Sequence, residues 1–188
     1  MIKIGITGML ASGKSTVAKL ISKRKYQIFN ADNVVNKLYE EEFFKKKLKK
    51  IFKLKNTIGL KNQIRKLVKI SKIDLSKLEN FIHPKVREKM MAFTKLNRKS
   101  KLLVYEIPLL FESNLKRYFD KIIFVGAKKN IRLRRFTSKN KSEQLFLNLD
   151  KRQIKPSTKI KLSDYVIYNN LSLKNLESKV KFIINKYE

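Results

Sequence analysis

The sequence predicts an α/β fold in three layers, with a five-stranded parallel sheet covered by helices on both faces. Two observations support this prediction. Five short apolar runs have the length of fully buried strands, and long stretches with helical periodicity separate them. With 188 residues, of which 43% are hydrophobic, the chain is long enough for one sizeable core, or for one core with a small lobe.

The five apolar runs are short and lie far apart along the chain. Apolar runs that alternate with long helical segments are typical of a parallel sheet, because two neighbouring parallel strands must be joined by a long connection. The strands are predicted at Ile2–Thr7, Gln27–Asn30, Leu102–Ile107, Lys121–Gly126 and Tyr165–Tyr168.

The segment between the second and third strands predicts a helical lobe. It spans about seventy residues without a convincing strand, which is too long for an unstructured loop. We expect a helix break at His83-Pro84, with apolar faces on both sides of it. The apolar positions are Leu60, Ile64, Leu67 and Val68 before the break, and Val86, Met90 and Phe93 after it.

A second insertion, rich in Lys, Asn and Ser, precedes the fifth strand and predicts a mobile lid. The carboxyl-terminal tail has the apolar periodicity of a helix that packs on the sheet. We expect one domain in three parts: a core of residues 1–32, 100–136 and 157–188, a lobe of residues 33–99, and a lid of residues 137–156.

Charge and composition exclude several classes of function. The net charge is +31, from 46 Lys and Arg against 15 Asp and Glu, and such a field favours anionic partners such as nucleic acid. The basic residues are spread over the whole chain, however, so we expect only nonspecific electrostatic binding to nucleic acid. With no cysteine and one histidine, neither a disulfide framework nor a polyhistidine metal site is possible.

The apolar runs are all shorter than a membrane span, and the sequence opens directly into the first predicted strand, without the regions of a signal peptide. We therefore expect a soluble, cytoplasmic protein that does not insert into membranes. We also expect a monomer.

The segment from Gly8 to Ser15 fits the phosphate-loop pattern G-x-x-x-x-G-K-[ST], between a strand and a helix. A chance match is expected on the order of once in several hundred chains of this length. The pattern predicts a nucleoside triphosphate site, in which Lys14 reaches the β and γ phosphates and the Ser15 hydroxyl ligates Mg²⁺. The residues that bind the phosphates are Gly8, Ala11, Ser12, Gly13, Lys14, Ser15 and Thr16.

Asp32 lies just after the second predicted strand, where a carboxylate can face the terminal phosphate of a bound nucleotide. Two interpretations are equally open from this position alone. Asp32 could accept the proton of an attacking hydroxyl group, as a catalytic base does. It could also be the N-cap of the following helix.

Five motifs in order resemble those of the dephospho-CoA kinases, and the resemblance covers nearly the whole chain. The motifs are the phosphate loop, Asn30-Ala31-Asp32, His83-Pro84-Lys85-Val86-Arg87, Ile107-Pro108-Leu109-Leu110-Phe111-Glu112 and Asp164-Tyr165-Val166-Ile167-Tyr168-Asn169. The resemblance implies transfer of a phosphoryl group from ATP, with Mg²⁺, to the ribose 3′-hydroxyl of dephospho-CoA. It also favours Asp32 as the base.

The sequence departs from the family pattern at several positions. Met9 and Ala11 replace loop glycines, and Asn30 replaces the first aspartate of the family motif. In the lid, Leu149 stands where the family usually has arginine, and Lys139-Asn140 where it often has Arg-Asp.

The remaining candidate residues each have an ordinary structural alternative. Glu106, at the end of the third strand, could hold Mg²⁺ through water, contact the substrate, or pair with a lysine at the edge of the core. By the resemblance, His83 and Arg87 bind the substrate, although His83 could instead cap a helix and Arg87 could be an exposed charge.

A basic cluster near the predicted lid supplies candidates for neutralising the transferring phosphoryl group. By the resemblance we choose Arg135 as the catalytic arginine. The other basic residues that could contact the phosphates are Arg132, Arg134, Lys139 and Arg152.

Overall fold

The computed structural model describes residues 1–23 and 26–187. The chain forms β1 (Ile2–Gly8), α1 (Lys14–Ser22), β2 (Gln27–Asn30), α2 (Ala31–Leu38), α3 (Glu42–Ile51), α4 (Leu60–Ile70), α5 (Lys72–Leu96), β3 (Leu102–Glu106), a 3₁₀ turn (Lys116–Tyr118), β4 (Lys121–Gly126), α6 (Lys129–Thr137), α7 (Glu143–Lys151), α8 (Pro156–Lys161), β5 (Tyr165–Tyr168) and α9 (Leu173–Ile184).

The strands form one five-stranded sheet in the order β2-β3-β1-β4-β5, and all four neighbouring pairs are parallel. The predicted α/β fold, with helices on both sides of the sheet, is confirmed. Three strands have the predicted ends, whereas β1 extends to Gly8 and β3 stops at Glu106. β1 is the central strand, so the loop that follows it leaves the sheet between two paired neighbours.

Helices α1 and α9 pack on β1 through a continuous apolar core. Ile4 and Ile6 of β1 are fully buried in it, together with Val17 of α1 and Val180 of α9. Each such side chain stabilises the fold by about 1.5–3 kcal/mol through removal of apolar surface from water. This core fixes α1, and therefore the helix end that carries the phosphate loop.

The chain divides into two compact units, one of Met1–Asn30 with Leu96–Glu188 and the other of Ala31–Lys95. The first contains the sheet. The second is helical and has its own aromatic core, in which the Phe44 ring packs 5.1 Å from that of Phe81 and 5.5 Å from that of Tyr39, measured between ring centroids.

The predicted helix break at His83-Pro84 is wrong, because α5 runs without interruption from Lys72 to Leu96 with Pro84 inside it. Pro84 cannot donate a hydrogen bond to the carbonyl of Asn80, and its ring crowds that carbonyl, so the continuous helix must be stabilised by packing. The helix retains its other hydrogen bonds and the burial of Val86 and Met90 on one face. His83 therefore lies in the helix interior and does not cap a helix.

In the part of the chain that the structure describes, no helix is both long enough and apolar enough to span a membrane.

Candidate active site

The phosphate loop bends through backbone conformations that most residues avoid. Gly13 has φ 100° and ψ 26°, and α1 begins at the next residue. A Cβ at this position would collide with Nδ2 of Asn169, so only glycine fits. Ala11 is left-handed as well, with φ 57°, which is costly for a residue that has a Cβ. The loop thus keeps a strained, sharply bent form.

Two polar side chains of the loop are buried. The Lys14 ammonium group, on a side chain that is 8% exposed, donates to the carbonyl oxygens of Met9 at 2.9 Å and Gly8 at 3.4 Å. The Ser12 hydroxyl is buried without a hydrogen-bond partner among the residues that the structure describes. The loop therefore holds a positive charge and an unpaired polar atom, features that suit an anionic ligand.

Three side chains meet at the carboxyl ends of β1, β2 and β3. The Ser15 hydroxyl donates to Oε1 of Glu106 at 2.6 Å, and Nδ2 of Asn30 donates to Oε2 at 2.6 Å. Glu106 is only 4% exposed and lies opposite both Ile6 and Asn30 in the strand register. The structure thus gives Glu106 two side-chain partners beside the loop.

These oxygen atoms fit a magnesium ion. Mg²⁺ prefers oxygen ligands, and it is often held by one or two protein groups together with phosphates and water. The Ser15 hydroxyl and the Glu106 carboxylate are donors of this kind, 2.6 Å apart. Over residues 1–23 and 26–187, no group of three His, Cys, Asp or Glu could hold a metal by itself. A metal ion at this place would therefore depend on the phosphates of a ligand.

Arg135 of α6 lies beside the phosphate loop. Its guanidinium donates to the carbonyl oxygens of Ser12 at 3.4 Å and Asn169 at 3.1 Å, while Nδ2 of Asn169 donates to the same Ser12 carbonyl at 2.9 Å. Burial, and after it the positive charge of Arg134, lower the pKa of Arg135 from its usual value. The guanidinium can still bind an anion, since arginine side chains stay protonated in proteins at neutral pH.

Arg132, one helical turn earlier on α6, is bound within the protein. It is 5% exposed and makes a bidentate contact with Asp150 of α7, at 2.6 and 3.1 Å. The same side chain donates to the carbonyl oxygens of Ala127 at 3.2 Å and Leu10 at 3.3 Å. Arg134, Lys139 and Arg152 are exposed. Arg132 and Arg135 of the basic cluster thus both contact the loop's backbone, at the carbonyl oxygens of Leu10 and Ser12.

No role was predicted from the sequence for two residues of this site. Asn169 follows β5 and binds the carbonyl of Ser12, and Gln153 accepts a hydrogen bond from the backbone N–H of Leu10 at 2.8 Å. The sequence alone could not indicate these contacts, because the partner of each residue lies more than a hundred residues away in the chain.

Three other candidates belong to the helical unit Ala31–Lys95. Asp32 is exposed and lies inside the first turn of α2, which begins at Ala31, so the N-cap interpretation is wrong. His83 and Arg87 lie one turn apart on α5, and both are half-buried. Burial lowers the pKa of His83, with Glu79 opposing this shift and Arg87 adding to it.

The fold and the loop define a P-loop nucleotide-binding protein: a strained glycine loop follows the central strand of a parallel sheet and leads into α1, whose first turn contains Lys14 and Ser15. A family model described as dephospho-CoA kinase matches residues 2–175. The chain therefore belongs to the dephospho-CoA kinase family, and the resemblance stated from its motifs is confirmed.

Individual relatives agree with this assignment. The chain is 32% identical to the dephospho-CoA kinase of Fusobacterium nucleatum, over 95% of this chain and 94% of the relative. A solved structure from Thermus thermophilus superposes with a TM-score of 0.85 at 30% identity, covering 100% and 98% of the two chains. The dephospho-CoA kinase from Campylobacter jejuni gives a TM-score of 0.72 at 26% identity, covering 98% and 96%.

Proposed function

We propose that this enzyme transfers the γ-phosphoryl group of ATP to the ribose 3′-hydroxyl of dephospho-CoA, giving CoA and ADP in the last step of coenzyme A biosynthesis. The observation that carries the proposal is the phosphate loop with Glu106 beside it, held by Ser15 and Asn30 at 2.6 Å each. In the reaction, a bond forms between the 3′-oxygen and the γ-phosphorus, and the bond from that phosphorus to the β,γ-bridging oxygen breaks.

The loop residues Gly8 to Thr16 bind the triphosphate. Backbone N–H groups at the start of α1 and the partial positive charge of the helix end favour phosphate oxygens. Lys14, which contacts the carbonyl oxygens of Gly8 and Met9 at present, exchanges them for the β and γ phosphates. Ala11, Ser12 and Gly13 contribute the bent backbone, and Thr16 contacts the α-phosphate.

The Ser15 hydroxyl and the Glu106 carboxylate would hold Mg²⁺ together with ATP. The ion supplies neutralisation of the charge that accumulates on the β and γ phosphates. Arg135 neutralises further charge on the transferring group, since a guanidinium binds phosphoryl oxygens in a bidentate manner. Its present contacts with the carbonyl oxygens of Ser12 and Asn169 support this role, because they hold the charge at the loop.

Asp32 orients the 3′-hydroxyl and accepts its proton, while His83 and Arg87 bind the substrate. The position of Asp32 in the first turn of α2, directly after β2, supports its role, since it leaves the carboxylate exposed. We assign residues 33–99 as the substrate-binding lobe, residues 137–156 as the lid, and the remaining residues as the core. We also propose that the enzyme acts as a monomer in the cytoplasm, and size-exclusion chromatography tests the monomer.

The acceptor assay tests the function. Purified protein with ATP and Mg²⁺ is expected to convert dephospho-CoA to CoA, measured by chromatography, and to leave nucleoside monophosphates unchanged. If the protein phosphorylated a nucleoside monophosphate and not dephospho-CoA, the proposed ATP site would still hold, but the proposed acceptor would be wrong.

A pair of variants tests the base. Asp32→Asn is expected to bind ATP normally and to lose roughly 10²–10⁴-fold in kcat, the usual contribution of general-base catalysis. Asp74→Asn is the matched control, because Asp74 lies in the same helical unit, in the first turn of α5, and pairs with Lys77 at 3.1 Å. A near-normal kcat for Asp32→Asn would exclude Asp32 as the base.

A further inference from the structure

Leu10, in the middle of the phosphate loop, has both of its backbone polar groups bound by distant side chains. Its N–H donates to Oε1 of Gln153 at 2.8 Å, and its carbonyl oxygen accepts from Nη1 of Arg132 at 3.3 Å. Because both groups belong to the backbone of the loop, these two contacts act directly on the loop's conformation. The conformation of the loop at Leu10 is therefore set in part by residues outside it.

Both of these side chains depend on helix α7, which lies within residues 137–156. Gln153 follows α7 by two residues, and Arg132 is fixed by Asp150 of α7, at 2.6 and 3.1 Å. Arg132 also lies over the ring of Phe146, 5.3 Å from its centroid, and that ring is fully buried against Phe136. A displacement of α7 would thus loosen the hold of Arg132 on the Leu10 carbonyl and shift the chain that leads into Gln153.

The chain is also fixed immediately after Gln153. The N–H of Ile154 donates to Oε1 of Glu112 at 3.1 Å, and the ammonium group of Lys159 lies 2.6 Å from the same oxygen. Lys159 is fully buried, so the position of Glu112 is well defined. Gln153 is consequently held at the end of an anchored segment, with its side chain directed at the phosphate loop.

We propose that Gln153 is a positioning residue for phosphoryl transfer, which couples the position of α7 to the shape of the phosphate loop. When α7 is packed as described, Gln153 and Arg132 hold Leu10 in the conformation that binds the triphosphate. When α7 moves away, the loop relaxes and ATP binds more weakly. This inference rests on one part of the proposed function, which is that the phosphate loop binds ATP.

The variant Gln153→Leu removes the acceptor oxygen and keeps a side chain of similar size. Since Gln153 is half-buried and uncharged, we expect the variant to fold. Loss of one neutral hydrogen bond predicts roughly 3- to 10-fold weaker ATP binding, measured by isothermal titration calorimetry without any acceptor. The KM for ATP is expected to rise by a similar factor, while the KM for dephospho-CoA stays unchanged.

Hydrogen exchange reports on the contact itself. The Leu10 amide is expected to exchange at least about tenfold faster in Gln153→Leu, with other amides of the sheet unchanged, because its acceptor is lost. The matched control is Gln144→Leu, in the same segment, where the side chain is exposed and its amide donates to Oδ1 of Asn148 at 3.4 Å. This control is expected to leave ATP affinity and Leu10 exchange at the wild-type values.

Unchanged ATP affinity and unchanged Leu10 exchange in Gln153→Leu would overturn the proposal. So would a loss of equal size in Gln144→Leu, or faster exchange throughout the protein, since either outcome indicates a general effect on folding. If the enzyme failed to phosphorylate dephospho-CoA, the proposed acceptor would fall, but calorimetry and exchange could still be interpreted because neither uses an acceptor.

Discussion

The buried ion pair between Lys159 and Glu112 predicts a large and specific loss of stability in the variant Lys159→Met. The two charged atoms are 2.6 Å apart, and the lysine side chain is 0% exposed. At an effective dielectric constant of about 20, two unit charges at this distance attract each other by about 6 kcal/mol. Desolvation offsets part of this attraction, but removing one partner leaves the Glu112 charge largely buried and uncompensated. We therefore expect the free energy of unfolding to fall by about 3–5 kcal/mol.

Urea denaturation measures this loss. Lys121→Met is the matched control, because Lys121 makes the same kind of contact with Asp164 at 3.4 Å, with the side chains 42% and 38% exposed. We expect the control to lose less than about 1 kcal/mol. A double variant, Lys159→Met with Glu112→Met, is expected to regain most of the loss, since it leaves no unpaired charge. Equal losses in Lys159→Met and Lys121→Met would refute the reasoning from burial.

Two further predictions concern His83, in the helical unit Ala31–Lys95, and Gly13, in the phosphate loop. Because burial lowers the pKa of His83, the unfolded chain binds this proton more readily. The stability that results is complete above about pH 6.5 and is lost as the pH falls through the folded pKa. The urea midpoint of the wild type is thus expected to be lower at pH 5 than at pH 7.5. The part of this change that is due to His83 should vanish in His83→Gln. An equal pH dependence in that variant would contradict the assignment of this change to His83. Gly13→Ala is expected to weaken ATP binding by at least about 5-fold in calorimetry, because φ 100° strains any residue with a Cβ and the Cβ meets Asn169. Adding Asn169→Ala should restore only part of the affinity, and unaltered binding by Gly13→Ala alone would exclude this source of strain.

The sequence was sufficient for the five strands because each is a short, mainly apolar run between stretches with helical periodicity. Burial on both faces of a parallel sheet accounts for such runs in β1, β3 and β4, whereas the edge strands β2 and β5 are partly exposed. The ends of β2, β4 and β5 were nevertheless predicted to the residue. The helix break at Pro84 could not be judged in the same way. Whether a proline ends a helix depends on the packing of the residues around it, and here the burial of Val86 and Met90 favours a continuous helix.

The candidate site was predictable where its residues are contiguous in sequence. Lys14 and Ser15 follow directly from the loop pattern, because the loop's geometry fixes their positions relative to each other. Contacts between distant residues carried no such signal. Charge and proximity in the chain do not distinguish Arg132, which pairs with Asp150, from Arg135, which donates to the carbonyl of Ser12. The choice of Arg135 came from the family resemblance, and the different contacts of the two arginines are seen only in the fold.

The central position of β1 has a consequence for the synthesis of the enzyme. β1 is hydrogen-bonded to β3 on one side and to β4 on the other, and the N–H of Met9 donates to the carbonyl oxygen of Val125. The phosphate loop precedes its supports in the chain, because β3 and β4 are translated about a hundred residues later. A nascent chain that ends before β4 therefore has the complete motif but no nucleotide site, and the ability to bind ATP is acquired late in translation.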